Sequence, residues 1–385
     1  MTTPSFDAII IGGGLVGAAA AVSLRRQGKR IALLEINPAQ TDNDKLQNGW
    51  DARIYAISPA NQQLLQSLDA WPSEERTQPV LKMDVRGDNG GRIEFSAAEI
   101  HTTRLTAIAE NRWLLAALWQ QIKALEIPVF NCRVQSISTN IGQAEVLLEN
   151  GTSLTTRLVI GADGANSWVR QQAGIETRED PYNHHGVVAN FHTEKDHNGT
   201  AFQWFKDQEV LAYLPLPNRK ISIVWSTSDP KKLTDLEPEA LAEKVAQQGE
   251  FALGKLSPLS PAFAFNLILR RPKTTVGQRI LLMGDAAHTI HPLAGQGVNL
   301  GFGDVIEFSK LAENSTDIGA HQLLKRYAQN RLEPVRTMQL GCDGLFQLFN
   351  RDTLPAQSWL RNTGLNLVNA AAPLKNMLIR RAMGL

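Results

Sequence analysis

Apolar and polar positions divide the chain into short hydrophobic runs separated by longer amphipathic stretches. Phe6–Ile11 is a mostly apolar run that ends at a glycine turn, the pattern of a strand buried on both faces. LVGAAAAVSLRRQG follows with small residues on one helical face, and RIALLE reads as a second strand, so the opening predicts a βαβ unit. TRLVIGADGANSWVRQQAGI, residues 156–175, repeats the theme in shorter form: an apolar strand, Asp163-Gly164, then a helix starting near Ser167. RILLMGD predicts a third strand over Arg279–Met283 that runs into Gly284-Asp285, with a helix from about Val298. From about 181 to 270, polar and apolar positions alternate between turn signals such as Pro217-Asn218, which predicts an antiparallel sheet. DVRGDNGGRIEFSAAEI, residues 84–100, adds a hairpin turning at Gly90-Gly91 and joining that sheet.

Length and charge narrow the class. At 385 residues the chain exceeds one ordinary core, which predicts two packed units plus terminal decoration. Lys and Arg number 39 against 38 Asp and Glu, so there is no basic field of the kind nucleic acid requires. The expected ligand is a small molecule or another protein. Cys132 and Cys342 stand far apart without a Cys/His companion pattern, which argues against a disulfide scaffold or zinc knuckle and suits a reducing cytoplasmic compartment. The N-terminus lacks a basic region before its apolar run, and no stretch approaches the roughly 20 apolar residues of a spanning helix. A soluble or surface-bound protein is expected. No repeat or low-complexity linker separates the units, so the domains are expected to interweave.

The chemistry begins with Gly12-x-Gly14-x-x-Gly17 inside the βαβ unit and Glu35 at the end of its second strand. Gly12 permits the tight turn, Gly14 lets a pyrophosphate approach the backbone, and Gly17 lets the helix lie close to the sheet; the helix N-terminus favours the negative charge. Glu35 would accept ribose hydroxyls and repel a 2′-phosphate, which leaves NAD or FAD rather than NADP. Asp285 stands at the carboxyl end of a strand, where open α/β sheets place ligand-binding groups. Three such strand ends converging on one ligand favour FAD for its length. His288 and His291 are spaced H-x-x-H but lack a third ligand nearby, so a packed loop histidine is expected and no metal site. His184, His185, His192 and His197 are expected in a solvated loop. Phe202, Trp204, Tyr213 and Trp225 either cover an aromatic ring held over the cofactor or form ordinary core.

Gly12-x-Gly14-x-x-Gly17, Asp163-Gly164 within GADGANSWVR, and GDAAHTIHPLAGQGVNLGFGD resemble the three fingerprints of the class A flavoprotein aromatic hydroxylases, whose archetype is para-hydroxybenzoate hydroxylase. Within that group, DARIYAIS at 51–58, AENRWLLAAL at 109–118, LVIGADGANS and AGQGVNLG are similar to the ubiquinone-biosynthesis hydroxylases, in order and over essentially the whole chain. The resemblance implies an α/β fold: a discontinuous Rossmann-type FAD-binding domain (1–75, 101–180 and 271–330), an interwoven antiparallel-sheet substrate domain (76–100 and 181–270) and a C-terminal helical segment (331–385). It places Gly12, Gly14, Gly17 and Glu35 on the adenosine and pyrophosphate, Arg53 near the pyrophosphate and flavin, and Asn111 at the FAD ribose region. By the same resemblance, Asp163 would help hold FAD and touch the nicotinamide donor, and Asp285 would meet the ribityl chain. It likewise implies that Pro292, Gly295, Gly297, Val298 and Asn299 belong to the loop beside the flavin ring, with N–H groups at a helix start facing its N1/O2 locus.

The implied reaction is hydroxylation of a polyprenyl-phenol ring by O₂ through a flavin C4a-hydroperoxide, with NADH or NADPH as electron donor, directly or through another protein. A hydroxylase of a soluble aromatic acid or phenol, a non-catalytic flavoprotein subunit of a ubiquinone-synthesis assembly and a simple NAD dehydrogenase are the alternatives. The C-terminal run 354–385 contains no acid but carries Arg361, Lys375, Arg380 and Arg381 among bulky apolar residues, with Pro373 starting a short final helix. It either packs on the body or makes a peripheral contact with the inner membrane or with other ubiquinone-biosynthesis proteins.

Overall fold

The computed structural model describes residues 5–88, 90–290 and 297–350. A six-stranded sheet forms the base of the first unit, in the order Val276–Gly277, Ile280–Leu282, Val159–Gly161, Ala8–Ile11, Ile31–Leu34 and Val129–Phe130. All neighbours are parallel except the outermost hairpin. The expected single strand Phe6–Ile11 is broken at Asp7. Ser5–Phe6 pairs with Ser153–Thr156 in a separate four-stranded sheet, and Ala8–Ile11 enters the parallel one. Asp7 accepts from Arg30 N and lies beside the Arg30 and Arg157 guanidinium groups, a polar residue that suits the crossover better than a sheet interior.

Both faces of the parallel sheet are covered. Ala8 and Ile10 face a core shared with helices Leu15–Arg26, Asn111–Ala124 and Gly297–Ala312. Ile9 and Ile11 face Ala144, Val146, Leu148 and Leu154 of the four-stranded sheet. Ala18, Ala19, Ala20 and Ala21 are all buried, and their small side chains let the first helix sit between the sheet and two other helices. Gly12 has φ +104°, and a Cβ on Gly17 would collide with the Gly12 carbonyl oxygen, so both positions exclude larger residues.

The second unit is an eight-stranded sheet built mainly from Thr177–Thr193, Thr200–Lys206, Glu209–Leu216, Lys220–Thr227 and Phe263–Pro272. The hairpin Lys82–Arg86 with Arg92–Ser96 joins it through parallel pairing with Thr200–Lys206. On one face Trp204, Tyr213 and Trp225 are at most 2% exposed and pack with Leu241, Ala242 and Val245 of helix Pro238–Gln248. Phe202 stacks on Trp204 at 5.6 Å, Tyr213 Oη donates to Val245 O (2.7 Å) and Trp225 Nε1 donates to Glu209 Oε2 (2.8 Å). These four aromatics are therefore core, and the ring-cover alternative is set aside. The histidines also differ from expectation. His184, His185 and His192 belong to the long strand, while His197 is buried, donating through Nε2 to Leu216 O and accepting at Nδ1 from Gly199 N.

The opposite face packs Ala201, Leu214 and Leu216 on a small sheet of Ile54–Ile57, Thr77–Val80 and Thr106–Glu110. Helix His321–Asn350 runs across both units: Leu324 and Tyr327 join the core of the first, and Phe346 packs with Val85, Ile93, Phe205 and Val210 of the second. Among the described residues, no helix is long and apolar enough to cross a membrane.

Candidate active site

The register of the parallel sheet sets the site. Ile11 lies opposite Gly161, and Gly161 opposite Leu282, so Gly12, Ala162 and Met283 leave the sheet at the same edge. The three strand ends singled out in the sequence are adjacent in space. Gly14 is the N-cap of helix Leu15–Arg26 but offers no side-chain cap, and a Cβ built on it meets nothing within 4 Å. The uncapped N–H groups thus face open space that suits a pyrophosphate. Glu35 accepts from Gly13 N at 2.6 Å and from Asn37 N at 2.9 Å, which holds its carboxylate against the turn.

Two further groups set this turn. Trp119 Nε1 donates to Gly13 O (2.8 Å), and a Cβ on Gly13 would lie 2.6 Å from the Trp119 ring and 2.9 Å from Glu35 Cγ. Gly13, the free position of the fingerprint, therefore has a steric requirement of its own. Nothing in the amphipathic pattern of helix Asn111–Ala124 distinguishes Trp119 from its core neighbours.

At the second strand end, Asp163 Oδ2 accepts from Val169 N (3.0 Å), while its Oδ1 is buried without a hydrogen-bond partner. A buried carboxylate oxygen left open in this way fits a ligand hydroxyl. The short helix Trp168–Gln172 starts where the sequence predicted, and Ser167 caps it by accepting from Arg170 N (3.0 Å). The Arg170 guanidinium donates to Ala165 O and Ala286 O, both at 2.9 Å, and ties the second strand end to the third. Arg170 closes the quoted fingerprint GADGANSWVR, the signal by which it could have been found.

The third strand end is anchored from behind. Asp304 accepts from Gly284 N (2.9 Å), His288 Nε2 (2.7 Å) and Arg331 Nε (2.7 Å). Burial works against its charge, but electrostatic attraction to His288 and Arg331 and these hydrogen bonds hold its carboxyl below the usual range. His288 is consequently a buried, hydrogen-bonded residue. The turn Gly284–Ala286 it supports carries Asp285, which keeps contact with solvent while protein crowds around it. That desolvation pushes its pKa upward against the pull of His288, Arg53 and Arg270. Tyr55 shares the neighbourhood. Burial pushes its hydroxyl up to about 12, with Arg53 opposing and Asp285 and Asp51 adding to the shift.

Arg53 is exposed and stands on a segment fixed from both sides. Asp51 Oδ1 accepts from Arg53 N and its Oδ2 from Arg112 N, both at 3.0 Å; Asn111 N donates to Arg53 O, also at 3.0 Å. Behind them Glu110, fully buried, accepts from Asp51 N, Arg76 and Arg112. Gly297 and Val298 open helix Gly297–Ala312. Asn299 follows with its side chain turned inward: its Oδ1 accepts from Ser58 N (2.9 Å) and Asn61 Nδ2 (2.8 Å), and its Nδ2 donates to Ala56 O (2.7 Å). Pro292, Gly295 and His291 lie outside the described residues.

Residues 129–339 match the family model described as FAD binding domain, and residues 10–39 match that of an NAD(P)-binding Rossmann-like domain. The chain is 34% identical to the 3-demethoxyubiquinol 3-hydroxylase of Escherichia coli (strain K12), with 100% of each chain covered. It belongs to the ubiquinone-biosynthesis hydroxylases. This hydroxylase is also 34% identical to a mitochondrial ubiquinone biosynthesis monooxygenase of Danio rerio (97% of this chain, 89% of that one) and 32% identical to the ubiquinone hydroxylase UbiL of Rhodospirillum rubrum (98% and 89%). Its fold is that of p-nitrophenol 4-monooxygenase PnpA from Pseudomonas putida DLL-E4, with a TM-score of 0.77 at 17% identity over 99% of both chains. Klebsiella pneumoniae HpxO complexed with FAD and uric acid superposes with a TM-score of 0.76 at 16% identity, over 98% of this chain and 97% of that one. The hydroxylase is an FAD-dependent monooxygenase. The uncapped helix at Gly14 and the open Asp163 oxygen suit that cofactor.

Proposed function

We propose that this protein hydroxylates the aromatic ring of a polyprenyl-phenol in ubiquinone biosynthesis, consuming O₂ and NADH or NADPH and releasing water and the oxidised nucleotide. The observation that carries the reading is how strand Thr177–Thr193 meets the cofactor side. Near one end of the strand, Thr289 Oγ1 donates to Ile268 O and accepts from Arg270 N on the neighbouring strand. Near the other, Asn190 Nδ2 donates to Asp51 O (2.9 Å). Between these ties lie Val188, Val224 and Ala212, cross-strand neighbours on the face opposite the aromatic core. They form an apolar bed between Thr289 and the segment bearing Arg53, suited to a flat, weakly polar ring.

When bound, FAD supplies the redox and oxygen-activating chemistry. The residues of the chain bind, orient and exclude water. We assign Gly12, Gly14, Gly17 and Glu35 to the adenosine and pyrophosphate, Arg53 and Asn111 to the middle of the cofactor, and Asp163 and Asp285 to its hydroxyls. Pro292, Gly295, Gly297, Val298 and Asn299 are assigned beside the ring, where a helix N-terminus favours negative charge. In this reading residues 1–75, 101–180 and 271–330 hold the cofactor, 76–100 and 181–270 the substrate, and 331–385 form the C-terminal segment. The acid-free composition of 354–385 supports a peripheral contact with the inner membrane or with other ubiquinone-biosynthesis proteins, and so a cytoplasmic, membrane-adjacent location.

The reading is tested by reduction, by precursor accumulation and by truncation. Purified holoprotein mixed with NADH or NADPH under nitrogen should lose its flavin absorbance, and a deletion strain should accumulate a quinone precursor lacking one ring hydroxyl. An unchanged precursor profile would sink the pathway assignment, and hydroxylation confined to tail-free phenols would favour a soluble substrate. Truncation after Ala371 should reduce co-sedimentation with anionic vesicles while FAD content holds. Unchanged sedimentation would remove the membrane role, and loss of FAD would mark the segment as core.

A further inference from the structure

Phe263 and Phe265 are 52% and 44% exposed, unusual for two phenylalanines on alternate positions of one strand. Their strand, Phe263–Pro272, pairs with Thr177–Thr193 and lies off the main path of the sheet. Phe263 stands opposite Val188 and Phe265 opposite Gly186. Directly opposed residues of an antiparallel pair project from the same face, so both rings extend the apolar bed outward from Val188. The Phe265 ring is seated by design of the backbone opposite it: a Cβ on Gly186 would fall 2.6 Å from Phe265 Cζ and 2.9 Å from Cε2. Gly186 is thus a notch that receives the ring. An exposed edge row of this kind is an aggregation liability in a protein unless something covers it.

We infer that Phe263 and Phe265 form a shelf for the isoprenoid side chain of the phenol, leading it from the ring bed to the edge of the sheet. The inference rests on the polyprenyl-phenol reading above and adds the residues that select for the tail. Three features support this occupant. The shelf continues the bed that takes the ring, it presents aromatic faces to an apolar chain, and its notch fixes one ring in place so that little ordering is needed on binding.

The test compares two probes, a 2-farnesyl phenol and the corresponding 2-methyl phenol, titrated into holoprotein and followed by the perturbation of flavin absorbance. Wild-type protein should bind the farnesyl phenol at least tenfold more tightly. The double substitution Phe263→Ala with Phe265→Ala should remove most of that preference while leaving the methyl phenol within about twofold. Gly186→Ala, which displaces the ring without deleting an aromatic, should lower the preference in the same direction. Flavin content and thermal melting verify that each variant is folded. Equal binding of the two phenols by wild type, or an equal loss for both in the variants, overturns the shelf. Absence of hydroxylated product from either phenol overturns the functional reading instead, and the binding ratio can still be read.

Discussion

Arg170 donates to the carbonyl oxygen of Ala286 across 2.9 Å, so one buried guanidinium locks the Asp163 turn to the turn that carries Asp285. The second bond, to Ala165 O, fixes the near side of the same fork. Two groups assigned to one cofactor therefore keep their spacing through a residue that need not touch it.

Arg170→Met should disturb that spacing. It leaves the Ala165 and Ala286 carbonyls short of a donor, at a cost of about 1–3 kcal/mol for each buried group left unsatisfied. The expected result is a lower melting temperature together with FAD binding weakened roughly tenfold or more. Titration of apoprotein with FAD beside a thermal melt checks it. A variant with wild-type affinity and stability would show that the two turns are held by other means.

Gly14 and Gly17 should separate binding from folding. A side chain at Gly14 meets no protein atom within 4 Å, whereas one at Gly17 strikes the Gly12 carbonyl. Gly14→Val should therefore give folded, colourless protein with near-native melting of the apo form. Gly17→Val should lose soluble folded protein altogether. Full flavin occupancy in Gly14→Val would move the pyrophosphate elsewhere.

Much of this was legible from sequence because it depends on local backbone requirements. Gly12 needs positive φ and Gly17 needs the absence of a Cβ, and both leave a mark at fixed spacing between a strand and a helix. Helix starts near Ser167 and Val298 were visible because each follows an apolar strand and its turn. The Asp7 break was not, since a single polar residue in an apolar run reads equally as a strand edge. Trp204, Tyr213 and Trp225 showed that a face is apolar but not which layer covers it; helix Pro238–Gln248 does. The supports of the site were hidden for a related reason. Trp119 to Gly13, Asn190 to Asp51 and Arg331 to Asp304 join residues distant in the chain, and neither periodicity nor spacing encodes such pairs.

Asp285 should show opposite effects on stability and binding. Its folded pKa is raised by desolvation, so its favourable contribution to stability is fully present below the ordinary carboxylate pKa and is lost as pH rises through the raised value. Asp285→Asn removes that penalty and should make the apoprotein more stable than wild type at neutral pH, with the difference vanishing in acid. The same change removes a charge-assisted acceptor for a cofactor hydroxyl, worth about 1.5–3 kcal/mol, so FAD binding should weaken roughly tenfold to a hundredfold. Wild-type affinity should in turn fall as pH drops through the raised pKa, while the Asn variant stays flat. Parallel pH series of melting and FAD titration would test both, and a flat wild-type binding profile would place the carboxylate away from the cofactor.

Asn299 offers a sharper test of how the helix beside the ring is held. Its amide accepts from Ser58 N and Asn61 Nδ2 and donates to Ala56 O, joining the first turn of helix Gly297–Ala312 to strand Ile54–Ile57 and to the start of the helix at Pro59. Every one of these groups is buried or nearly so, and Asn299 itself is 7% exposed. Leucine has similar volume but can satisfy none of them. With each stranded polar group costing about 1–3 kcal/mol, Asn299→Leu should lose on the order of 3 kcal/mol of stability, partly recovered by local rearrangement. Asn299→Asp keeps the acceptor for Ser58 N and Asn61 but gives up the donor to Ala56 O, so it should fall between leucine and wild type. Denaturant unfolding of the three proteins measures the order. Because the helix start is assigned to the flavin ring, hydroxylation by the leucine variant should fall further than its FAD occupancy does. A leucine variant as stable and as active as wild type would mean that the inward network does not position this helix.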